Sequence, residues 1–265
     1  MNDLIDVGAN LTHDSFDTDR SVVMQRAQEA GVRRMIVTGT TVDATRDAIN
    51  LANEHPGSLY ATAGVHPHHA AEVDAAAIDT LKQLAEEPGV VAVGECGLDF
   101  FRDYSPREAQ LTAFEAQLSI AVDTGKPLFL HQRDAHDPFI TLLREYLPQI
   151  PAGGVAHCFT GTRNEMQEYL DLGLHIGITG WICDERRGDS LREAARYLPL
   201  DRVLLETDAP YLLPRDLPEK PSGRRNEPGV LPHVLKVLAQ HMGQNITRVA
   251  QATTENAERL FRLTQ

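Results

Sequence analysis

The sequence predicts an α/β fold of the (β/α)8 TIM-barrel type, in one domain over residues 1–265. Three observations carry that expectation. The chain has 265 residues, about the length such a barrel needs. Eight short apolar runs recur along it, nearly continuous in branched side chains, as expected of parallel strands covered on both faces. Longer stretches between them show helical periodicity with start and stop signals. A doubly wound open sheet is the rival. Against it, no glycine-rich phosphate fingerprint follows the first apolar run.

Taken in order, strands are expected at 4–9, 34–39, 59–65, 90–95, 127–131, 154–159, 174–180 and 202–207. The clearest helix lies between the fourth and fifth. Ser105 is its expected cap, Pro106 its first residue and Glu108 the partner in a capping box. Leu111, Phe114, Leu118 and Val122 form its apolar stripe, and Gly125 its stop. Thr162 and Glu165 form a second capping box, closed by Gly173, and "LPHVLKVLAQHMG" and "TTENAERLF" supply the final helices. No linker, low-complexity tract or short repeat interrupts the alternation.

Composition narrows the function. With 25 Lys and Arg against 38 Asp and Glu, the formal net charge is −13, the wrong sign for coating duplex DNA. A local basic patch, or metal ions in a cleft, could still hold a nucleic-acid end. No apolar run approaches the roughly 20 residues of a membrane span. The opening "MNDLIDVGAN" carries neither a basic leader nor an apolar core. Three well-separated cysteines suggest reduced thiols in a cytoplasmic protein. They read as small apolar side chains and receive no chemical role. No G-x-S-x-G elbow and no Walker A loop occurs.

Barrel active sites lie at the C-terminal ends of the strands. In order, the strand ends carry Asn10; His66, Pro67, His68 and His69; Glu95 and Asp99; His131, Arg133 and Asp134; His157; Trp181 and Asp184; and Glu206 and Asp208. Imidazole nitrogen and carboxylate oxygen are the ligands used by hydrolytic divalent metals. Glu95, His131, His157 and Asp208 are expected to face one cleft, where a buried carboxylate needs a cation or a metal. The plainer alternatives are that Glu95 pairs with Arg102 or Arg133, that Asp208 caps the next turn, and that His66 shapes its loop. Arg215, Lys220, Arg224 and Arg225 in the loop after the eighth strand, with Arg186 and Arg187 in the loop before it, could bind phosphates or form a solvated, charge-mixed rim. Trp181 could stack on a base or pack in the core.

The segments "TAGVHPH", "VAVGECGLDF", "HQRDAH", "HCFTGT", "IGITGWICDERRG", "LLETDAPYLLPR" and "RRNEP" resemble the TatD family of metal-dependent deoxyribonucleases, among the amidohydrolase-like barrels. The likeness spans nearly the whole chain. It implies a cytosolic, monomeric nuclease that trims single-stranded DNA or RNA from the 3′ end, with a place in DNA repair. It also implies a divalent metal, Mg2+ ahead of Mn2+ or Zn2+. By position, Glu95, His131 and His157 match the metal ligands, and Asp208 the aspartate that binds metal or takes the proton from the attacking water. His66 matches a histidine on the scissile phosphate. His68, Arg133, Trp181, Arg224 and Arg225 are the expected substrate contacts. One departure concerns the first strand. Where many members of the wider family carry D-x-H-x-H, this chain keeps Asp6 but has Gly8 and Asn10. One firm ion on Glu95, His131 and His157 is therefore expected, with a second ion weak or brought by substrate. The rival readings are a small-molecule amide or ester hydrolase on the same barrel and a non-enzymatic binding protein.

Overall fold

The computed structural model describes residues 3–219, 221 and 223–263; Lys220 lies outside the described residues. Eight parallel strands run in sequence order around the sheet. They are β1 (Leu4–Ala9), β2 (Val32–Val37), β3 (Leu59–Ala63), β4 (Val90–Asp99), β5 (Leu128–Arg133), β6 (Gly154–Ala156), β7 (His175–Ile178) and β8 (Val203–Leu205). Helices α1 (Arg20–Glu29), α2 (Val42–Glu54), α3 (Ala75–Ala85), α4 (Arg107–Thr124), α5 (His136–Tyr146), α6 (Arg163–Asp171) and α7 (Asp189–Ala195) alternate with them, and α8 (Leu231–Met242) and α9 (Ile246–Phe261) follow β8. Backbone bonds from Asp208 N to Gly8 O (2.8 Å) and from Asn10 N to Ala209 O (2.7 Å) tie the end of β8 to β1. The expected (β/α)8 barrel is the fold found.

Apolar side chains fill two layers, as the near-continuous hydrophobic strands require. The larger lies between strands and helices. The smaller lines the barrel interior with Ile5, Val7, Ile36, Phe129 and Leu204, joined by Leu260 and Phe261 of α9. The interior is thus a packed floor rather than a pore.

Several local expectations need correction. The fourth strand does not stop at residue 95 but continues to Asp99. Its pairing with β5 shifts register between Val93 and Cys96: three residues advance opposite two, which is a bulge, and Glu95 lies in it. Bulges re-aim side chains, and this one places a carboxylate among imidazoles instead of in a turn. Ser105 is also not the cap of α4. Its hydroxyl donates to His68 O (2.8 Å) and accepts from Ala71 N (3.1 Å), and Pro106 stands at the cap without a side-chain bond. The sixth, seventh and eighth strands end early, at Ala156, Ile178 and Leu205 instead of residues 159, 180 and 207; two helix signals hold. Gly125 ends α4 in the left-handed conformation (φ 64°), and Thr162 with Glu165 forms the capping box of α6.

Candidate active site

The strand ends open into a cleft of about 890 Å³. At its floor Glu95 Oε1 lies 3.0 Å from His131 Nδ1, 3.0 Å from His157 Nε2 and 3.3 Å from His66 Nε2. Burial would raise the Glu95 pKa, but the neighbouring imidazoles of His66 and His157 and hydrogen bonds from His131 and His157 hold it well below the ordinary range. It is a buried anion answered by imidazoles, and neither Arg102 nor Arg133 is its partner.

Each ring is held from its far side. His157 Nδ1 donates to Glu206 Oε2 (2.9 Å), and the ring lies 4.6 Å from Phe129 of the floor, centroid to centroid. Burial disfavours its charge, yet Glu206 and Glu95 raise its pKa well above normal. His131 Nε2 lies 3.4 Å from Asp99 Oδ2 and has no hydrogen-bond partner among the described residues. His66 Nδ1 accepts from His68 N (3.1 Å). Burial, the largest influence, lowers the His66 pKa to about 4, so the ring is neutral and carries its proton on Nε2. Asp99 accepts from His68 Nε2 (2.9 Å) and from the backbone N–H groups of Phe101 and Arg102.

Asp208 occupies the cleft wall with φ 54°, a left-handed backbone that costs a non-glycine residue energy and recurs at functional sites. Its Oδ1 accepts from Asn10 Nδ2 (3.1 Å). Burial raises its pKa to about 7, with Glu95 and Glu206 adding and His157 and Asn10 opposing.

Glu206 and Asp99 are supporting groups to which the sequence reading gave no role, and Asn10, which that reading offers only as a weak oxygen ligand, positions Asp208. The signal for Glu206 lay in two strand glycines, since glycine inside a strand marks a close approach. A Cβ at Gly8 would sit 2.6 Å from Glu206 Oε2, and one at Gly177 would meet Glu206 Oε1. Gly8 makes room for a carboxylate that grips His157. Asp6 turns away from the cleft and accepts from Thr207 N (2.9 Å) and Thr207 Oγ1 (2.5 Å).

Among the expected substrate contacts, His68, Arg133, Trp181 and Arg224 line the cleft, with Arg102, Tyr104 and Tyr211 beside them. Arg133 stacks on Phe101 (4.1 Å to the centroid) and faces Trp181 at 5.7 Å. Trp181 is half-buried: it packs on the core and still lines the cleft. Phe101, Tyr104 and Tyr211 are exposed, and the sequence reading missed them because aromatic loop residues carry no positional signal alone. Arg225 is not brought to the cleft. It donates to Asp19, Glu227 and Ser15 O. Arg186 and Arg187 are engaged by Asp184, and Arg215 by Glu185.

A family model described as TatD related DNase matches residues 5–262. The chain belongs to this family. The 3'-5' ssDNA/RNA exonuclease TatD of Musicola paradisiaca is 52% identical over 262 residues, 99% of each chain. Among solved structures, a TatD homologue of Escherichia coli K12 superposes with TM-score 0.91 at 32% identity, covering 98% of both chains. A TatD family hydrolase of Entamoeba histolytica gives 0.90 at 28%, covering 100% of this chain and 99% of the other. The TatD-family chain is accordingly a hydrolase.

The donor set suits a divalent ion. His66, Glu95 and His131 offer ligand atoms within 4.8 Å of one another, and the unpartnered His131 Nε2 is a buried nitrogen in need of a partner. His157 Nε2 meets the same Glu95 oxygen, while its other nitrogen is held by a carboxylate, as metal-ligating imidazoles are.

Proposed function

We propose that this protein is a divalent-metal-dependent nuclease that shortens single-stranded DNA and RNA from the 3′ end through a single catalytic domain. The observation that carries this reading is the convergence of His66, His131 and His157 on Glu95 at the floor of the cleft, in a chain half identical to proteins named for that activity.

Glu95, His131, His157 and Asp208 would hold the ion. Bound there, it would lower the pKa of water and neutralise charge on the phosphoryl group. Asp208, positioned by Asn10, orients the attacking water and takes its proton. His66 donates from Nε2 to a phosphate oxygen. That role fits its geometry better than metal ligation, because the His68 N–H already occupies the Nδ1 lone pair and leaves Nε2 protonated. Glu206 accepts the hydrogen bond from His157 Nδ1 and sets the ring's direction.

The mouth suits a single strand. Tyr104, Tyr211 and Trp181 offer faces for bases, and Arg102, Arg133 and Arg224 offer charge for phosphates. Mg2+ is the favoured ion because Glu95 and Asp208 supply carboxylate oxygens; Mn2+ and Zn2+ are its rivals, since the imidazoles suit softer ions. Three free thiols support a cytoplasmic setting. A monomer is the proposed state. Trimming of 3′ ends fits a part in DNA repair.

A small-molecule amide or ester hydrolase is not favoured. Gly8 makes room for Glu206 instead of leaving space for a ligand. No lysine available for carboxylation into a metal bridge lines the cleft among the described residues.

Direction is tested with single-stranded oligonucleotides carrying nuclease-resistant linkages at one end. Blocking the 3′ end is expected to stop digestion and blocking the 5′ end to leave it unchanged. Equal digestion of both would refute an exonuclease working from the 3′ end.

A further inference from the structure

A second group of metal-ligating side chains lies outside the cleft. Cys183, Asp216 and His233 present a thiol sulfur, a carboxylate oxygen and an imidazole nitrogen, all within 4.8 Å of one another. Each comes from a different segment. Cys183 ends the short turn Gly180–Cys183 that follows β7, Asp216 lies in the loop after β8, and His233 sits in the first turn of α8. None of the three lines the catalytic cleft.

We propose that Cys183, Asp216 and His233 form a second metal site, away from the catalytic cleft, that takes a borderline-soft divalent ion of the Zn2+ class. The donor chemistry selects that class. Thiolate sulfur with imidazole nitrogen favours Zn2+ over hard ions, and a carboxylate completes three protein ligands of a tetrahedron, with water as the fourth.

The geometry supplies both a buried anchor and an open side. Cys183 is buried, His233 is mostly covered, and the Asp216 side chain is 45% exposed, so an ion could enter past the carboxylate. The turn holding Cys183 is fixed on both sides. Arg192 Nη1 donates to Ile182 O (3.0 Å) and Asp184 O (2.9 Å), and the positive charge of Arg192 is answered by Asp189 at 2.6 Å. His233 Nε2 and Asp216 Oδ1 lie 2.7 Å apart, so two ligands already converge. The neighbouring Arg215 is occupied by Glu185 and leaves Asp216 to the imidazole. Binding releases the thiol proton to solvent.

An ion here would cross-link the loops after β7 and β8. Trp181, two residues before Cys183, and Tyr211 and Leu212 in the second loop line the cleft. Occupancy would therefore stiffen the rim that holds a strand while leaving the Glu95 cluster untouched.

The test uses the full-length, chelator-stripped protein titrated with Co2+, which gives a sulfur-to-cobalt charge-transfer band only when a thiolate is bound. Wild type and Cys158→Ser are expected to show the band, and Zn2+ but not Mg2+ to bleach it. Cys183→Ser should lose it. His233→Gln should weaken Co2+ binding by at least the roughly tenfold that loss of a supporting partner costs. Because Zn2+ can also enter the Glu95 cluster, its effect is read as a difference: Zn2+ should raise the melting temperature of wild type and of Cys158→Ser by more than that of the two site variants. If loss of the buried thiol prevents folding, the His233→Gln titration decides. Absence of the band in wild type, its survival in Cys183→Ser, its loss in Cys158→Ser, or unchanged affinity in His233→Gln would each overturn the proposal.

Discussion

Glu95 is a carboxylate buried in a strand, and an unpaired charge there would cost several kcal/mol. Three imidazoles meet it; Glu206 grips His157 from its far side, and Asp99 lies 3.4 Å from His131. The cluster thus alternates acid and base from the floor outward. Asp208 stands apart from that lattice with Asn10 as its side-chain partner, which leaves a carboxylate oxygen for water. Replacing Asp208 with Asn keeps the oxygen that Asn10 donates to and removes the base. Turnover should fall by about 10²–10⁴-fold with little change in affinity for single-stranded DNA, measured by single-turnover kinetics beside equilibrium binding. Equal losses in both would refute the assigned role. Glu95, His131, His157 and Asp208 were legible because each follows an apolar run and bears a side chain with an obvious use. Glu206 and Asp99 stand at strand ends just as plainly, but their use depends on which way each side chain turns. Only the Gly8 and Gly177 contacts reveal that for Glu206.

At the scale of elements, bulges do the aiming. The register of β1 against β2 shifts between Asp6 and Ala9, and that of β4 against β5 between Val93 and Cys96. These shifts bring Gly8 beside Glu206 and Glu95 beside the imidazoles. Gly94 and Gly97, at φ 138° and 145° on either side of Glu95, mark the kink in β4, but glycine does not say whether a strand bends or stops there. This is why the fourth strand reads as ending where it only bends. The loop after β8 divides in a similar way. Arg224 lines the cleft and has no ion-pair partner among the described residues, whereas Arg225 lies across Phe16 (4.9 Å) and pairs with Asp19 and Glu227. Their adjacency in sequence conceals opposite duties. Arg224→Glu should weaken binding of single-stranded DNA and flatten its salt dependence by about one phosphate contact. Arg225→Glu should leave that slope alone and lower the melting temperature. Salt titration of both variants decides, and identical slopes in wild type and Arg224→Glu would count against a phosphate role.

For the molecule as a whole, function sits at one mouth of the barrel and stability at the other. His175 begins β7 and is buried. Burial lowers its pKa from 6.5 to about 4, and the charges of Arg202 and Arg259 reinforce the shift. The unfolded chain therefore takes up this proton first as pH falls. The stability that His175 contributes is full above about pH 6.5 and drains away toward pH 4, by roughly 3 kcal/mol for this group. In His175→Leu, urea unfolding at pH 7 and pH 4 should differ by that much less than in wild type; parallel profiles would show that the ring does not titrate as described.

The alternation of strands and helices was readable throughout because each parallel strand must be apolar on both faces and each helix on one. What escaped was long-range. The ties between β8 and β1, the floor shared with α9 and the loop aromatics at the mouth depend on residues far apart in the chain.

The central claim is that phosphodiester cleavage occurs at the Glu95 cluster with a divalent ion. The most direct measurement is digestion of a labelled single-stranded oligonucleotide by chelator-stripped protein, with and without Mg2+ or Mn2+, beside Glu95→Ala and His157→Ala. Metal-dependent shortening by wild type and its loss in both variants is the predicted result. No cleavage with either metal, or equal cleavage by the variants, would contradict the claim.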